Sequence, residues 1–479
     1  MNTRIVGNIL GRVLLIEAAL LLLPMACAAV YRESVLPFLY TALALLAAGF
    51  ALTRIRPKNQ HLFAREGFVC VGASWVLMSL FGALPYVFSG DIPGYVDAFF
   101  ETVSGFTTTG ATILTVVEPL HKGVQFWRLF THWIGGMGVL VFIMAVIPAS
   151  GEHYMHIMRA EVPGPTVGKL VPRIRKTARI LYLIYIALTA LETVFLLFGG
   201  MSFYEALLHA FATAGTGGFS TRNASIAAFD SVYIEMVVST FMLIFGVNFN
   251  VYYLLLLGQV GSVLKSEELR WYLGGVAVCV LAIAANIARQ AGGFGQGLRY
   301  AYFQVTTIVS TTGFATADFD RWPELSKWIL FLLMFIGGCA GSTAGGMKLS
   351  RVLILLKSYA FELKKLILPR RVRRIWFEHR PVEEETVKSV LVFFSTYILA
   401  LLLGGLVVSL DGYDFTTNLT ASLACLSNVG PGLSLVGPMG NYAIFSPGVK
   451  LSLSLEMLLG RLEIFPVVYL FSPRVWRQR

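Results

Sequence analysis

The sequence predicts an all-α membrane protein: four repeats of helix, half-helix and helix in a pseudo-four-fold arrangement, preceded by a two-helix N-terminal hairpin. Three observations predict it. With 56% hydrophobic residues against 14% charged, and a mean hydropathy of +0.71, the chain is too apolar for a soluble protein of its 479 residues. A Thr/Gly motif recurs four times at intervals of about one hundred residues. Basic residues collect in alternate connections between the apolar runs.

The runs 13–31, 35–52, 180–198 and 390–410 are each long enough to cross a hydrocarbon core of about 30 Å, which takes roughly 20 apolar residues in a helix. Residues 1–60 hold the first two. Arg4 and Arg12 before the first run and Ala26, Ala28 and Ala29 after it resemble a secretory signal. The next run follows after only a short loop, so the pair reads as a helical hairpin that stays attached. Four repeats follow, over 61–160, 161–264, 265–378 and 379–479. Each holds an apolar span, a short acidic or polar loop, a short segment ending at the Gly motif, and a second, longer apolar span. The short segments 96–108, 203–216, 298–311 and 415–427 cannot cross a bilayer and are too apolar for an open loop, which describes a re-entrant half-helix.

Charge sets the topology. Arg54, Arg56, Lys58 and Arg65 form one basic cluster; Arg159, Lys169, Arg173, Arg175, Lys176 and Arg179 a second; Lys364, Lys365, Arg370, Arg371, Arg373 and Arg374 a third. The positive-inside rule makes these loops cytoplasmic, while connections carrying Asp91, Asp97, Asp230, Asp318, Asp320, Asp411 and Asp414 face outward. Both termini are then cytoplasmic, in a multi-pass membrane protein. The net charge of +11 does not point to nucleic acid, because the basic loops are short juxtamembrane segments that lipid headgroups explain. The five cysteines and seven histidines show no ligand spacing, and no catalytic constellation stands out. No enzyme activity and no catalytic cofactor are expected.

The recurring motifs are Thr108-Thr109-Gly110, Thr216-Gly217-Gly218, Thr311-Thr312-Gly313 and Asn428-Val429-Gly430. A half-helix dipping in from outside points the negative end of its dipole, worth roughly half a charge, toward the bilayer centre. The extended backbone that follows needs φ > 0 where glycine recurs. Rings of backbone carbonyls can replace an ion's hydration shell, and none of the four motifs carries Asp, Glu, Lys or Arg. These features predict a cation-selecting pore around which the M-P-M units (helix, pore half-helix, helix) are arranged. A plainer alternative for any one motif is that its glycine is the C′ residue ending a short helix.

The stretches "SGFTTTGAT" (104–112), "ATAGTGGFST" (212–221), "STTGFAT" (310–316) and "LSNVGPG" (426–432) resemble the TrkH/TrkG/KtrB/HKT superfamily of potassium transporters, in its TrkH branch. The resemblance spans essentially the whole chain. It implies a single-chain pseudo-tetramer with K+ as the transported ion and Gly110, Gly218, Gly313 and Gly430 as filter glycines. No loop shows the Ser-for-Gly departure that accompanies sodium transport in some plant relatives. One shared glycine per loop implies a more modest selectivity than a filter richer in glycine.

In the third repeat the second span is interrupted by Gly337, Gly338, Gly341, Ser342, Thr343, Gly345, Gly346 and Lys348. Glycine costs a helix up to about 1 kcal/mol relative to Ala, so the helix breaks there. The phosphate-loop pattern GxxxxGK[ST] is not met, since Met347 follows Gly346. The resemblance implies an intramembrane loop that obstructs the path beneath the filter; close packing of small residues is the alternative. Arg461, deep in the last span, is expected to face the cavity below the filter and pair with loop carbonyls or Glu463. His132, Asn248 and Asn250 read as helix contacts. Potassium uptake through a gated channel-like pore is the leading expectation; a proton- or sodium-coupled symporter and a non-transporting scaffold are the alternatives. Membrane lipid surrounds the chain. Relatives imply a homodimer on a cytoplasmic nucleotide-binding (TrkA-like) regulatory subunit, docking on 151–179 and 357–388.

Overall fold

The computed structural model describes residues 3–54, 64–138, 174–367 and 374–471. Helices α1 (Thr3–Leu20) and α2 (Leu22–Val30) run almost end to end, and α3 (Leu36–Thr53) packs along α1. Gly11 and Gly49 sit where α1 and α3 cross; a Cβ on Gly11 would lie 2.8 Å from the Gly49 carbonyl oxygen, so only glycine permits this approach.

The first repeat comprises α4 (Ala64–Gly82), α5 (Leu84–Ser89), the half-helix α6 (Tyr95–Phe106) and α7 (Lys122–Gly136). The second comprises α8 (Ile174–Phe198), the half-helix α9 (Phe203–Gly215), α10 (Val232–Phe245), α11 (Phe249–Leu256) and α12 (Val260–Lys265). In the third, α13 (Glu267–Ile287) leads to the half-helix α14 (Phe294–Val309), α15 (Glu324–Ile336) and α16 (Leu349–Ile367). A small hairpin, β1 (Trp376–Phe377) and β2 (Arg380–Pro381), precedes the fourth: α17 (Glu384–Val408), the half-helix α18 (Phe415–Leu426), α19 (Pro447–Arg461) and α20 (Phe465–Phe471).

Six helices are long and apolar enough to cross a membrane among the described residues: Thr3–Val30, Leu36–Thr53, Arg65–Ser89, Ala178–Phe198, Glu267–Ile287 and Glu384–Asp411. They are the two of the hairpin and the first of each repeat. They carry exposed Leu, Ile and Val around their outer faces, as on α17, where Leu399, Leu402, Leu403 and Leu406 point away from the protein.

The second helix of each repeat departs from the expected longer span. It is the shorter one, with 15, 14, 13 and 15 residues in α7, α10, α15 and α19. Breaks follow three of them: α10 and α11 meet at 90°, the Gly-rich segment follows α15, and Glu463 and Ile464 are left-handed after α19. The sequence marks the glycine-rich break and, through Gly246 and the N-cap Asn248, the bend between α10 and α11. The break after α19 follows from tertiary contacts, since a β-branched residue such as Ile464 at a φ of 67° is a steric outlier that its surroundings must hold.

These short helices close the architecture. Each wedges between its own half-helix and the half-helix of the next repeat: α7 between α6 and α9, α10 between α9 and α14, α15 between α14 and α18, and α19 between α18 and α6. The fourth repeat thus returns to the first, and the four half-helices are buried around a common centre.

Candidate functional site

All four half-helices end in the same hydrogen-bond pattern. Thr109 N donates to Ser104 O (2.9 Å) and Thr108 N to Gly105 O (3.1 Å). The same 6→1 and 5→2 bonds join Gly217 to Ala212 and Thr216 to Thr213, Thr312 to Thr307 and Thr311 to Ile308, and Val429 to Ala424 and Asn428 to Cys425. This is a Schellman motif, whose left-handed C′ residue is usually glycine. Here it is Thr108, Thr216, Thr311 and Asn428, at φ of 55°, 57°, 56° and 55°.

The recurring glycine is therefore not the helix-ending residue of the plainer alternative. It lies two positions further on and is left-handed again, with φ of 82°, 74°, 86° and 93° at Gly110, Gly218, Gly313 and Gly430. Its reason is contact. A Cβ on Gly110 would strike the carbonyl oxygen of Gly217, one on Gly218 that of Thr312, one on Gly313 that of Val429, and one on Gly430 that of Thr109. Loop 1 touches loop 2, loop 2 touches loop 3, loop 3 touches loop 4, and loop 4 touches loop 1. The twelve predicted residues are thus brought into one closed ring of neutral backbone. The four glycines open onto a cavity of about 350 Å³, whose wall also includes Thr112, Arg128, Asn223, Met439 and Tyr442.

Side chains both outside the motifs and within them hold the ring. His132 of α7 donates from Nδ1 to Gly105 O (2.8 Å), and its Nε2 accepts from Phe219 N (3.2 Å), so a neutral imidazole joins the first half-helix to the second loop. One turn earlier on α7, Arg128 is buried, with its guanidinium 3.5 Å from the centre of the Phe219 ring. It donates to Glu101 Oε1 (2.6 Å) and Ser220 O (3.2 Å). Glu101 in turn accepts from Thr112 Oγ1 (2.8 Å) and Ile113 N (3.0 Å), fixing the chain that leaves the first loop. Asn428 Nδ2 donates to Thr109 Oγ1 and to Met457 O, both at 2.9 Å, which closes the fourth loop on the first. Thr107 and Thr109 hydroxyls pair at 2.8 Å, as do Ser310 and Thr312 at 2.7 Å in the third repeat.

His132 makes the helix contact expected of it and also reaches the second loop, while Glu101 and Arg128 are buried ionisable residues beside the ring that lie outside the recurring motifs. A signal for them existed: ionisable residues inside apolar segments point to function by default.

The Gly-rich segment lies directly beneath this ring. Gly345 N donates to Thr311 Oγ1 (2.6 Å), and Gly346 N to Ser427 O (2.9 Å). Gly337, Gly341 and Gly346 are left-handed, as is buried Lys348, whose ammonium donates to Ala344 O. Ser342 Oγ donates to Cys339 O (2.6 Å), and Thr343 Oγ1 to Phe245 O (3.2 Å) at the end of α10. Gly338 packs against Gly246, whose carbonyl oxygen accepts from Cys339 N (2.9 Å).

Arg461 reaches this segment, donating from Nη1 to Thr343 O (2.7 Å) and from Nη2 to Gly135 O (2.6 Å) and Gly136 O (2.8 Å). One guanidinium thus ties the segment to the last carbonyls of α7, where a cation is favoured by the helix dipole. The loop-carbonyl contact expected of Arg461 is present. The expected acidic partner, Glu463, pairs with Arg351 (2.5 Å), which stacks 4.2 Å from the Phe393 ring.

Comparison with known proteins places this arrangement. The family described as "TrkH: Cation transport protein" matches residues 38–274 and 293–478. The Trk system potassium uptake protein TrkH of Salmonella typhimurium is 38% identical over 489 residues, covering all of both chains. The Trk system potassium uptake protein TrkG of Escherichia coli is 32% identical over 487 residues, again covering both chains fully. The crystal structure of the potassium transporter TrkH from Vibrio parahaemolyticus superposes with a TM-score of 0.88 at 33% identity, covering 100% of each chain. A closed ring of four Schellman-ended half-helices, full-length similarity to these transporters and an extended match to the family together lead to one conclusion: the chain belongs to the TrkH family of cation transport proteins.

Proposed function

We propose that this protein takes up potassium across the bacterial cytoplasmic membrane through a channel-like pore whose selecting element is the ring of backbone at Thr108–Gly110, Thr216–Gly218, Thr311–Gly313 and Asn428–Gly430. One observation carries the reading: the four glycines touch the carbonyl oxygens of their neighbours in cyclic order and face a common cavity. Such a ring supplies oxygen ligands without a fixed charge, which suits a dehydrated monovalent cation. The four half-helix C-termini add the negative ends of their dipoles, each worth roughly half a charge. The relatives named as potassium uptake proteins support potassium as the ion.

In this reading the segment 337–348 is the gate, held shut by Arg461 through Thr343, Gly135 and Gly136. Both termini lie in the cytoplasm, and the chain works as a homodimer under a cytoplasmic nucleotide-binding partner docked on 151–179 and 357–388. Residues 151–173 and 368–373 of those docking segments lie outside the described residues.

Reversal potentials in planar bilayers test the pore. They are expected to follow the potassium gradient, with Gly313→Ser bringing the potassium and sodium permeabilities closer together. Equal selectivity before and after that change would remove the filter assignment; a shift with pH at fixed potassium would transfer the reading to a proton-coupled symporter. Arg461→Gln is expected to raise rubidium flux, and an unchanged flux in a folded variant would remove the latch.

A further inference from the structure

The small hairpin between the third and fourth repeats carries strain. Its two-residue turn places both Glu378 and His379 in the left-handed region, at φ of 48° and 58°. Turns of this shape normally use Asn-Gly, because only small or glycine residues adopt the conformation without cost. Strained non-glycine residues persist where the surroundings over-determine them, and they concentrate at functional and switching sites.

The surroundings here are specific. Glu378 Oε1 accepts from Ser266 Oγ (2.9 Å) and from the backbone N of Glu268 (2.8 Å), so the turn tip caps the start of α13. His379 Nε2 donates to Lys265 O (3.2 Å). Lys357 of α16 reaches the Glu267 carboxylate and Trp376 O, binding the hairpin to the same helix end.

Glu268 then continues the path inward. Its carboxylate is buried, and its Oε1 accepts from Ala340 N (2.8 Å) inside the Gly-rich segment and from Ser350 N (3.2 Å) in the first turn of α16. A single oxygen thus holds the segment at two places, once between Gly338 and Gly341 and once just past its end. The backbone of the same residue is held by the hairpin.

We infer that Glu268 is a positioning residue for the gate and that Glu378 acts through it, so the hairpin 376–381 sets whether segment 337–348 stays in place beneath the ring. This inference rests on the gating role proposed above for that segment. A ligand or partner that pulls the hairpin from α13 removes Glu378 from the N–H of Glu268, tilts the first turn of α13, and releases Ala340 and Ser350 together. The strained turn supplies part of the drive toward release. The filter ring, held separately by His132, Arg128 and Asn428, stays in place during that movement.

The test uses the full chain reconstituted alone in liposomes, with rubidium uptake and the potassium-to-sodium permeability ratio as readouts. Glu268→Gln keeps the shape but loses the charge that strengthens both hydrogen bonds, and is expected to raise uptake by about tenfold if the closed state loses that factor in population. Glu378→Ala, at a half-buried turn where folding is less at risk, is expected to raise it by about threefold. The permeability ratio should not move in either. The double variant should match Glu268→Gln alone, because the two residues act in series. Wild-type uptake in both folded single variants, with Arg461→Gln still raising flux, would overturn the inference and leave the gate intact. Multiplying effects in the double variant would also overturn it. Unchanged flux in all three variants would overturn the gate and this inference with it.

Discussion

Replacing Gly313 by Ala tests the ring most directly. The residue sits at a φ of 86°, where any L side chain pays about 1–2 kcal/mol. The new Cβ would also overlap the Val429 carbonyl oxygen and lie 2.8 Å from Pro431 Cδ, so the fourth loop must move. Overpacking of this kind costs about 1–3 kcal/mol, and here it falls on a carbonyl of the ring itself. About 1.4 kcal/mol of lost discrimination already changes an affinity ratio tenfold. A fall of about tenfold in the potassium-to-sodium permeability ratio, read from bi-ionic reversal potentials, is therefore expected. Gly412→Ala is the control: its φ is 80°, so it pays the same backbone strain, yet a Cβ there meets nothing within 4 Å. It should lower thermal stability by a similar backbone term and leave selectivity untouched. A wild-type ratio in folded Gly313→Ala, or an equal loss in Gly412→Ala, would refute the ring argument.

Other expectations follow from the side chains around the ring. Arg128→Ala leaves Glu101 buried without its ion-pair partner and should cost about 3–5 kcal/mol in detergent unfolding, with Glu101→Gln in the same chain recovering much of it; no recovery would count against the pairing. His132→Phe keeps a ring but strands Gly105 O and Phe219 N, so it should cost about 1–3 kcal/mol and lower the permeability ratio; an unaltered ratio would limit His132 to packing. Asp414 caps the fourth half-helix by accepting from Thr417 N (3.0 Å), so Asp414→Ala should cost about 1 kcal/mol in unfolding experiments and Asp414→Asn very little. The Thr417 hydroxyl that donates to Asp414 holds this carboxyl below its ordinary value. Its contribution is thus complete above about pH 4 and drains as pH falls through the lowered value; in acid unfolding, Asp414→Asn should flatten that part of the pH profile.

Much of the architecture is legible in the chain because its signals are local or periodic. Apolar length marks the first helix of each repeat, and the Thr/Gly recurrence marks each loop and fixes the repeat number. The half-helices α6, α9, α14 and α18 fall on the segments expected, although α14 begins at Phe294, earlier than position 298. The broken second helices were harder to find. Glycine announces the break after α15, and Gly246 with the capping residue Asn248 marks the bend after α10, whereas the bend after α19 depends on contacts that hold Glu463 and Ile464. The hairpin at 376–381 escaped for a related reason: Glu378 and His379 are not turn formers, and only their bonds to α13 hold the turn.

The sequence by itself determined that this is a four-fold membrane protein of the TrkH family, because composition, charge placement and four recurring motifs are properties a single chain displays without folding. Only the tertiary structure decided why each glycine is needed. The helix ends two residues earlier, on Thr or Asn, and the glycine serves the neighbouring repeat, whose carbonyl occupies the space of a side chain. The supports of that ring were hidden for the same reason. Arg128 and His132 each bridge segments far apart in sequence, as Glu268 does at the Gly-rich segment, and a contact between distant residues leaves no spacing for one chain to show.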